Sequence, residues 1–222
     1  MSERSNRPTR AIIFDMDGVL FMTSTVHARA YAETLKDSAV SFSEAAYPHI
    51  AGMRTDQAMQ KLCREQNVAV DPAQLEDLAR QKSKLAREYL EKEPPVDAEC
   101  EGVLTALSKS YRLALCSSAS LKNVELFLRS SGTEPLFELV IAGDQVQSAK
   151  PDPQIYQLAL EKLELEPDEV CVVEDSTAGI EAAVGAGARV LGRVGMHSAE
   201  DLRSVGASET FESLSELSGL LR

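Results

Sequence analysis

Five short apolar runs, separated by stretches of helical period, constrain this sequence more than any other feature. They cover Ala11 to Phe14, Leu113 to Cys116, Leu139 to Ala142, Val170 to Val173 and Arg189 to Leu191. Near-continuous apolar runs of this length are the pattern of strands covered on both faces, as in parallel sheets whose crossover helices lie above and below. Lys122 to Arg129, Ile155 to Leu163 and Ile180 to Val184 carry helical period between the later runs. Alternating strands and helices imply an α/β fold, a doubly wound, Rossmann-like parallel sheet.

The rhythm breaks between about Thr25 and Lys92. Val26 to Leu35, Thr55 to Arg64 and Gln74 to Leu90 read as helices there, and no run reads as a strand. The expected organisation is therefore a sheet domain of residues 1–22 and 96–222, with an α-helical domain of residues 23–95 inserted into it. Pro94 and Pro95 mark the far boundary, because proline cannot continue the preceding helix. Since open α/β sheets bind ligands at the carboxyl ends of their strands, an insertion directly behind the first strand is placed to cover the site as a lid.

Composition limits the partners and the compartment. Across 222 residues the formal net charge is −12, which disfavours nucleic acid and anionic membrane surfaces, so an anionic substrate needs a locally positive pocket. Cys63, Cys100, Cys116 and Cys171 form no C-x-x-C pair and read as buried free thiols. Residues 1–10 are polar and do not resemble an export signal, and no stretch is long enough to span a bilayer. These features place the expected protein in the cytoplasm.

Four segments carry the candidate chemistry. In Phe14-Asp15-Met16-Asp17-Gly18, two acids follow a strand and precede a glycine turn. Their proximity suits a bound cation and one acid kept protonated for proton transfer. Glu174 and Asp175 follow another run and are hard-oxygen ligands suited to magnesium; Asp175 or Ser176 reads equally as a helix N-cap. Cys116-Ser117-Ser118 ends a strand with hydroxyls that either cradle a phosphate or cap a helix. Lys150 stands in the proline-fixed loop Lys150-Pro151-Asp152-Pro153, as an inward cation or a solvated one.

In this order and spacing, the four segments resemble the haloacid dehalogenase superfamily, and the resemblance covers nearly the whole chain. It implies a magnesium-dependent phosphatase of a small phosphorylated metabolite, such as a sugar phosphate, with Asp15 as nucleophile and Asp17 as general acid/base. It further implies that Asp15, Asp175, Glu174 and the main-chain carbonyl of Asp17 serve the metal. Ser117 and Lys150 would hold the transferring phosphoryl group, with N–H groups following Asp17 and Ser117, at Gly18 and Ser118, assisting. The inserted helices look like the family's small α-helical cap, near β-phosphoglucomutase and the phosphoglycolate and sugar-phosphate phosphatases. Thr23 and His27 match cap-hinge positions, and Arg54, in Gly52-Met53-Arg54-Thr55, matches a substrate-specificity loop. Met22 departs from the acid usual at its position. Asp17 disfavours a dehalogenase, since such relatives lack a proton donor there. The alternatives are a β-phosphoglucomutase-like isomerase, which passes the phosphoryl group to a sugar, and a non-catalytic phosphate-binding module. The expected oligomeric state is a monomer.

Overall fold

The computed structural model describes residues 7–51 and 53–221. Gly52 of the expected specificity loop, residues 1–6 of the polar N-terminal stretch and Arg222 lie outside the described residues.

Six strands form one sheet in the order β3-β2-β1-β4-β5-β6, every pair parallel. They are β1 (Ala11–Phe14), β2 (Arg112–Cys116), β3 (Leu139–Ile141), β4 (Val170–Glu174), β5 (Arg189–Arg193) and β6 (Glu209–Phe211). The first three run outward in one direction and the last three in the other, so the topology reverses between β1 and β4. A reversal of this kind opens a crevice at the carboxyl ends of the two strands, where ligands of such sheets bind. Asp15 follows β1 at that point, and Glu174 and Asp175 lie at the end of β4.

Alternate residues of β1 serve opposite cores, because successive strand side chains point to opposite faces. Ile12 and Phe14 join one buried cluster with Leu104 of helix α4 (Cys100–Leu107) and Phe127 of α5 (Leu121–Ser131). Ala11 and Ile13 join a second cluster with Tyr156 of α6 (Gln154–Leu163), Ile180 of α7 (Thr177–Gly185) and Leu202 of α8 (Ala199–Ser204). A four-residue helix, α9 (Leu217–Leu220), closes the first face through Leu217. Helices therefore cover both faces, as the doubly wound reading requires.

Three helices precede α4: α1 (Ser24–Leu35), α2 (Thr55–Glu65) and α3 (Pro72–Lys92). With the 3-10 turn Glu44–His49 they close around a third apolar cluster that includes Tyr31, Tyr47, Met59, Leu62 and Leu78. Asp71 starts α3 by accepting the Ala73 and Gln74 N–H groups at 3.0 and 3.3 Å, ahead of Pro72 at the first helical position. Backbone pairing joins the two chain crossings to this helical segment. Met22 N–H donates to the Pro95 carbonyl at 2.8 Å and Asp97 N–H to the Leu20 carbonyl at 3.0 Å. Met22 contributes to that pairing through its main chain while its side chain is exposed, so the crossing holds without an acid there.

The elements the sequence pattern leaves out are short ones. β6 contains a single apolar residue, Phe211, at the edge of the sheet, and α4 spans only eight residues. All four cysteines are free and buried, as expected. Among the described residues, no helix is long and apolar enough to cross a membrane.

Candidate active site

The turn after β1 is built to present two acids. The Met16 carbonyl collects the N–H groups of Val19, Leu20 and Phe21 at 3.3, 2.9 and 2.9 Å, and Gly18 N–H donates to the Phe21 carbonyl at 2.8 Å. Gly18 has φ +82°, and a Cβ there would stand 1.8 Å from Asp175 Oδ2. Only glycine satisfies both conditions, so the turn brings the β1 loop into contact with the β4 loop.

Asp17 is held from the helical segment. Thr23 Oγ1 donates to Asp17 Oδ1 at 2.5 Å. Thr23 occupies the N-cap position of α1 with helical φ and ψ and makes no side-chain cap hydrogen bond, while its hydroxyl proton is directed at Asp17. His27 Nε2 stands 3.6 Å from the same oxygen, and His27 Nδ1 stands 3.1 Å from Lys82 Nζ. Burial opposes ionisation of Asp17, but His27, Thr23 and Lys82 outweigh it and hold the carboxyl below its ordinary range. Burial and the neighbouring Lys82 also lower the His27 pKa.

Lys82 did not stand out in the sequence. It occupies the buried face of α3, in step with Leu78, Ala86 and Leu90, and its ammonium lies 4.3 Å from the Tyr31 ring centroid. A charged residue in register with apolar ones at four-residue spacing is the signal that marks it. Burial lowers its pKa from 10.5 to about 7.

Lys150 points inward and is 1% exposed. Its ammonium donates to Asp15 Oδ1 at 2.5 Å, to Glu174 Oε1 at 2.7 Å and to the Cys116 carbonyl at 3.3 Å. Burial works against this cation, yet Asp15 and Glu174 raise its pKa well above the ordinary value. Glu174 is saturated with donors. Tyr156 hydroxyl reaches Oε1 at 2.9 Å, and Asp175 N–H, Ser176 N–H and Ser176 hydroxyl reach Oε2 at 3.0, 3.1 and 3.1 Å. Five donors on one carboxylate leave it little capacity for a metal ion. Although burial disfavours its charge, Lys150 and these donors lower the Glu174 pKa. A Cβ on Gly179 would fall 1.8 Å from Glu174 Oε1, so glycine in α7 makes the approach possible.

Asp15 and Asp175 behave in the opposite way. Burial raises both, with the Glu174 and Asp17 charges adding to it, and Lys150 offsets only part of the effect at Asp15. Proton affinity in this arrangement is thus raised at Asp15 and Asp175 and lowered at Asp17. Asp15, Asp175 and Glu174 each offer an oxygen within 4.8 Å of the others, and all three are buried. Clustered hard-oxygen donors suit a divalent cation, which offsets the repulsion among their ionised forms and competes with protons at Asp15 and Asp175. The residues therefore fit a magnesium ion.

Ser117 is fully buried; its hydroxyl accepts the Ala119 N–H at 3.0 Å and lies 3.4 Å from Asp17 Oδ2. Ser176 is the N-cap of α7, accepting the Gly179 N–H at 3.1 Å, so the capping alternative holds for Ser176 and leaves Asp175 free to face the crevice. Arg54 pairs with Asp56 at 3.4 Å and borders a tight crevice with Ser118, Gly143, Ala149 and Lys150. It thus lies between the helical segment and the loops that follow β2 and β3, although its own ion pair is local.

Residues 12–193 match the family model described as haloacid dehalogenase-like hydrolase. This chain belongs to that family. A phosphorylated carbohydrates phosphatase of Thermotoga maritima is 34% identical over 196 residues, covering 86% of this chain and 87% of the relative. Protein CbbY of Cereibacter sphaeroides is 30% identical over 221 residues, covering 95% and 94%. The crystal structure of a CbbY mutant from Rhodobacter sphaeroides in complex with xylulose-(1,5)bisphosphate superposes with a TM-score of 0.80 at 29% identity, covering 94% of this chain and 96% of that one. Within the haloacid dehalogenase-like hydrolases, the two acids after β1, the buried Lys150 and the acidic pair after β4 converge here on one crevice at the topological switch point.

Proposed function

We propose that this chain is a magnesium-dependent phosphatase of phosphorylated carbohydrates, working through an aspartyl phosphate on Asp15. The observation that carries the reading is Lys150, a fully buried cation that contacts Asp15 and Glu174 where the acids after β1 and β4 converge. It supplies the local positive charge that an anionic substrate needs in a chain of net charge −12. The names of the relatives support a carbohydrate phosphate as substrate.

In this reading Asp15 attacks phosphorus, and the bond from phosphorus to the sugar oxygen breaks as the new Asp15–phosphorus bond forms. Asp17 gives its proton to the departing alkoxide. It then takes a proton from water, which attacks the aspartyl phosphate, frees inorganic phosphate and restores the Asp15 carboxylate. The incoming phosphate charge raises the Asp17 pKa and so favours the acid form needed first; Thr23, His27 and Lys82 favour the carboxylate needed second. Ser117 and Lys150 hold the transferring group, with the N–H groups of Gly18 and Ser118. Asp15, Asp175 and the Asp17 main-chain carbonyl would hold magnesium, with Glu174 behind them, and the ion would neutralise charge on the phosphate oxygens. Residues 23–95 act as a lid that carries Thr23, His27, Arg54 and Lys82 to the site.

One observation favours a second reading. Asp17 is controlled by residues of α1 and α3, so proton transfer depends on where those helices sit, a dependence that would let a mutase discriminate between a sugar hydroxyl and water. Incubation with a panel of sugar phosphates and magnesium, followed by phosphorus NMR, separates the two. Release of free phosphate, abolished by Asp15→Asn, is expected; conversion of β-glucose 1-phosphate to glucose 6-phosphate without free phosphate would replace the phosphatase reading with the mutase. Turnover that survives Asp15→Asn would remove Asp15 from the chemistry.

A further inference from the structure

Arg193, the last residue of β5, is buried, unusual for an arginine unless it is paired. One guanidinium nitrogen donates to Asp97 Oδ2 at 2.6 Å and another to the Val19 carbonyl. Val19 lies two residues past Asp17 in the turn gathered on the Met16 carbonyl. Asp97 lies where the chain returns from the helical segment; its Oδ1 accepts the Glu99 N–H at 2.8 Å, one residue before α4. One side chain therefore ties together the Asp17 turn, the returning crossing and the sheet.

A buried ion pair is weak evidence for stability, because desolvation offsets its attraction and apolar packing of equal volume often does as well. What the guanidinium supplies is direction: its planar fork reaches two acceptors at fixed angles, which a lysine cannot do. Because Met16 ties Val19 rigidly to the rest of the turn, fixing the Val19 carbonyl fixes the frame from which Asp17 projects. Lys150 and Ser117, which hold the phosphoryl group in our reading, stand on other loops and are untouched by this clamp.

We propose that Arg193 is a positioning residue that locks the Asp17 turn and the returning crossing to β5, so that its loss lowers turnover far more than substrate binding. The kinetic half of this inference rests on the phosphatase reading; the mechanical half does not.

The test compares wild type with Arg193→Lys, Arg193→Met and the double variant Arg193→Met/Asp97→Asn, which removes the unpaired buried carboxylate that could keep the single variant from folding. Phosphate release from the best sugar phosphate of the panel gives kcat and KM, and backbone hydrogen exchange reads the turn directly. In folded Met variants, kcat is expected to fall on the order of tenfold to a hundredfold, the scale of a roughly 1 Å misplacement, with KM within about threefold. Arg193→Lys should recover part of the loss. Exchange at residues 18–22 and 97 should accelerate on the order of tenfold, while β4 stays protected. Folded variants with wild-type kcat, or with unchanged exchange at the turn, would overturn the proposal. If wild type releases no phosphate from any substrate, the phosphatase reading fails, and the exchange rates alone still decide whether the clamp exists.

Discussion

Lys82 and His27 meet across the helical segment, with Nζ 3.1 Å from Nδ1. With the ammonium donating to Nδ1, the ring proton belongs on Nε2, which faces Asp17 at 3.6 Å. A residue of α3 thereby acts on an acid of the sheet through one imidazole.

Replacing Lys82 should separate stability from activity. Its folded pKa of about 7 lies below the ordinary 10.5, so the unfolded chain binds the proton more tightly and the buried charge costs stability. That cost is complete below about pH 7 and vanishes as the pH rises toward 10.5. Lys82→Met is expected to be more stable than wild type by up to about 4 kcal/mol in the acidic range, with the gap closing at alkaline pH. Denaturant unfolding at several pH values measures this. Turnover should nevertheless fall, on the order of tenfold or more, because Asp17 loses support for its carboxylate form.

Gly18→Ala tests the contact between the two acidic loops. The added Cβ meets the Asp175 carboxylate, with Oδ2 at 1.8 Å, and Gly18 itself has a φ of +82° that an alanine rarely adopts. Expected are a stability loss of about 1–3 kcal/mol and a larger loss of activity, since Asp175 must move to admit the methyl group. Thermal unfolding and phosphate release on the same sample report the two effects.

Metal binding should release protons. Proton affinity at Asp15 and Asp175 is raised by burial and by neighbouring carboxylates, so magnesium must compete with protons for them. Affinity is therefore expected to rise with pH, and titration calorimetry in buffers of different ionisation enthalpy should yield a nonzero proton count. Chelation should abolish turnover, and added magnesium should raise the unfolding temperature in a concentration-dependent way. Asp175→Asn is expected to weaken binding by tenfold or more, a scale typical of a metal-site ligand or its close support.

The legible parts of this protein were those with local periodicity or a compact motif. The runs around Ile13 and Val172 named the central strands, and Asp15, Lys150 and Asp175 could be picked out because a charge beside a strand end or within a proline loop stands out along the chain. Lys82, Arg193 and Tyr156 could not be found that way. Each lies inside or at the end of a regular element, and its partner is distant in sequence: His27, Asp97 and Glu174 respectively. The short β6 carried too few apolar positions to form a pattern, whereas α4 places Cys100, Val103, Leu104 and Leu107 at helical spacing over only eight residues. The hydrogen bonds on Glu174 were also hidden, because counting carboxylates near a strand end does not reveal how many donors already occupy them.

That occupancy yields a decisive pair of variants. Tyr156→Phe keeps the ring that lies 4.9 Å from the Lys150 ammonium and deletes one of the five donors on Glu174. It should cost about 1–2 kcal/mol of stability and leave turnover within a few-fold of wild type. Glu174→Gln is more severe, since it turns an acceptor into an amide whose NH2 must face donors, and it leaves Lys150 with Asp15 alone. About 3–5 kcal/mol is expected, the cost of breaking a buried ion pair from one side. If Glu174 positions Lys150 and the β4 loop, magnesium affinity measured calorimetrically on folded Glu174→Gln should stay within about threefold of wild type, while Asp175→Asn loses tenfold or more. Equal losses in the two variants would instead make Glu174 a ligand, and the five hydrogen bonds would then have to rearrange when the ion binds.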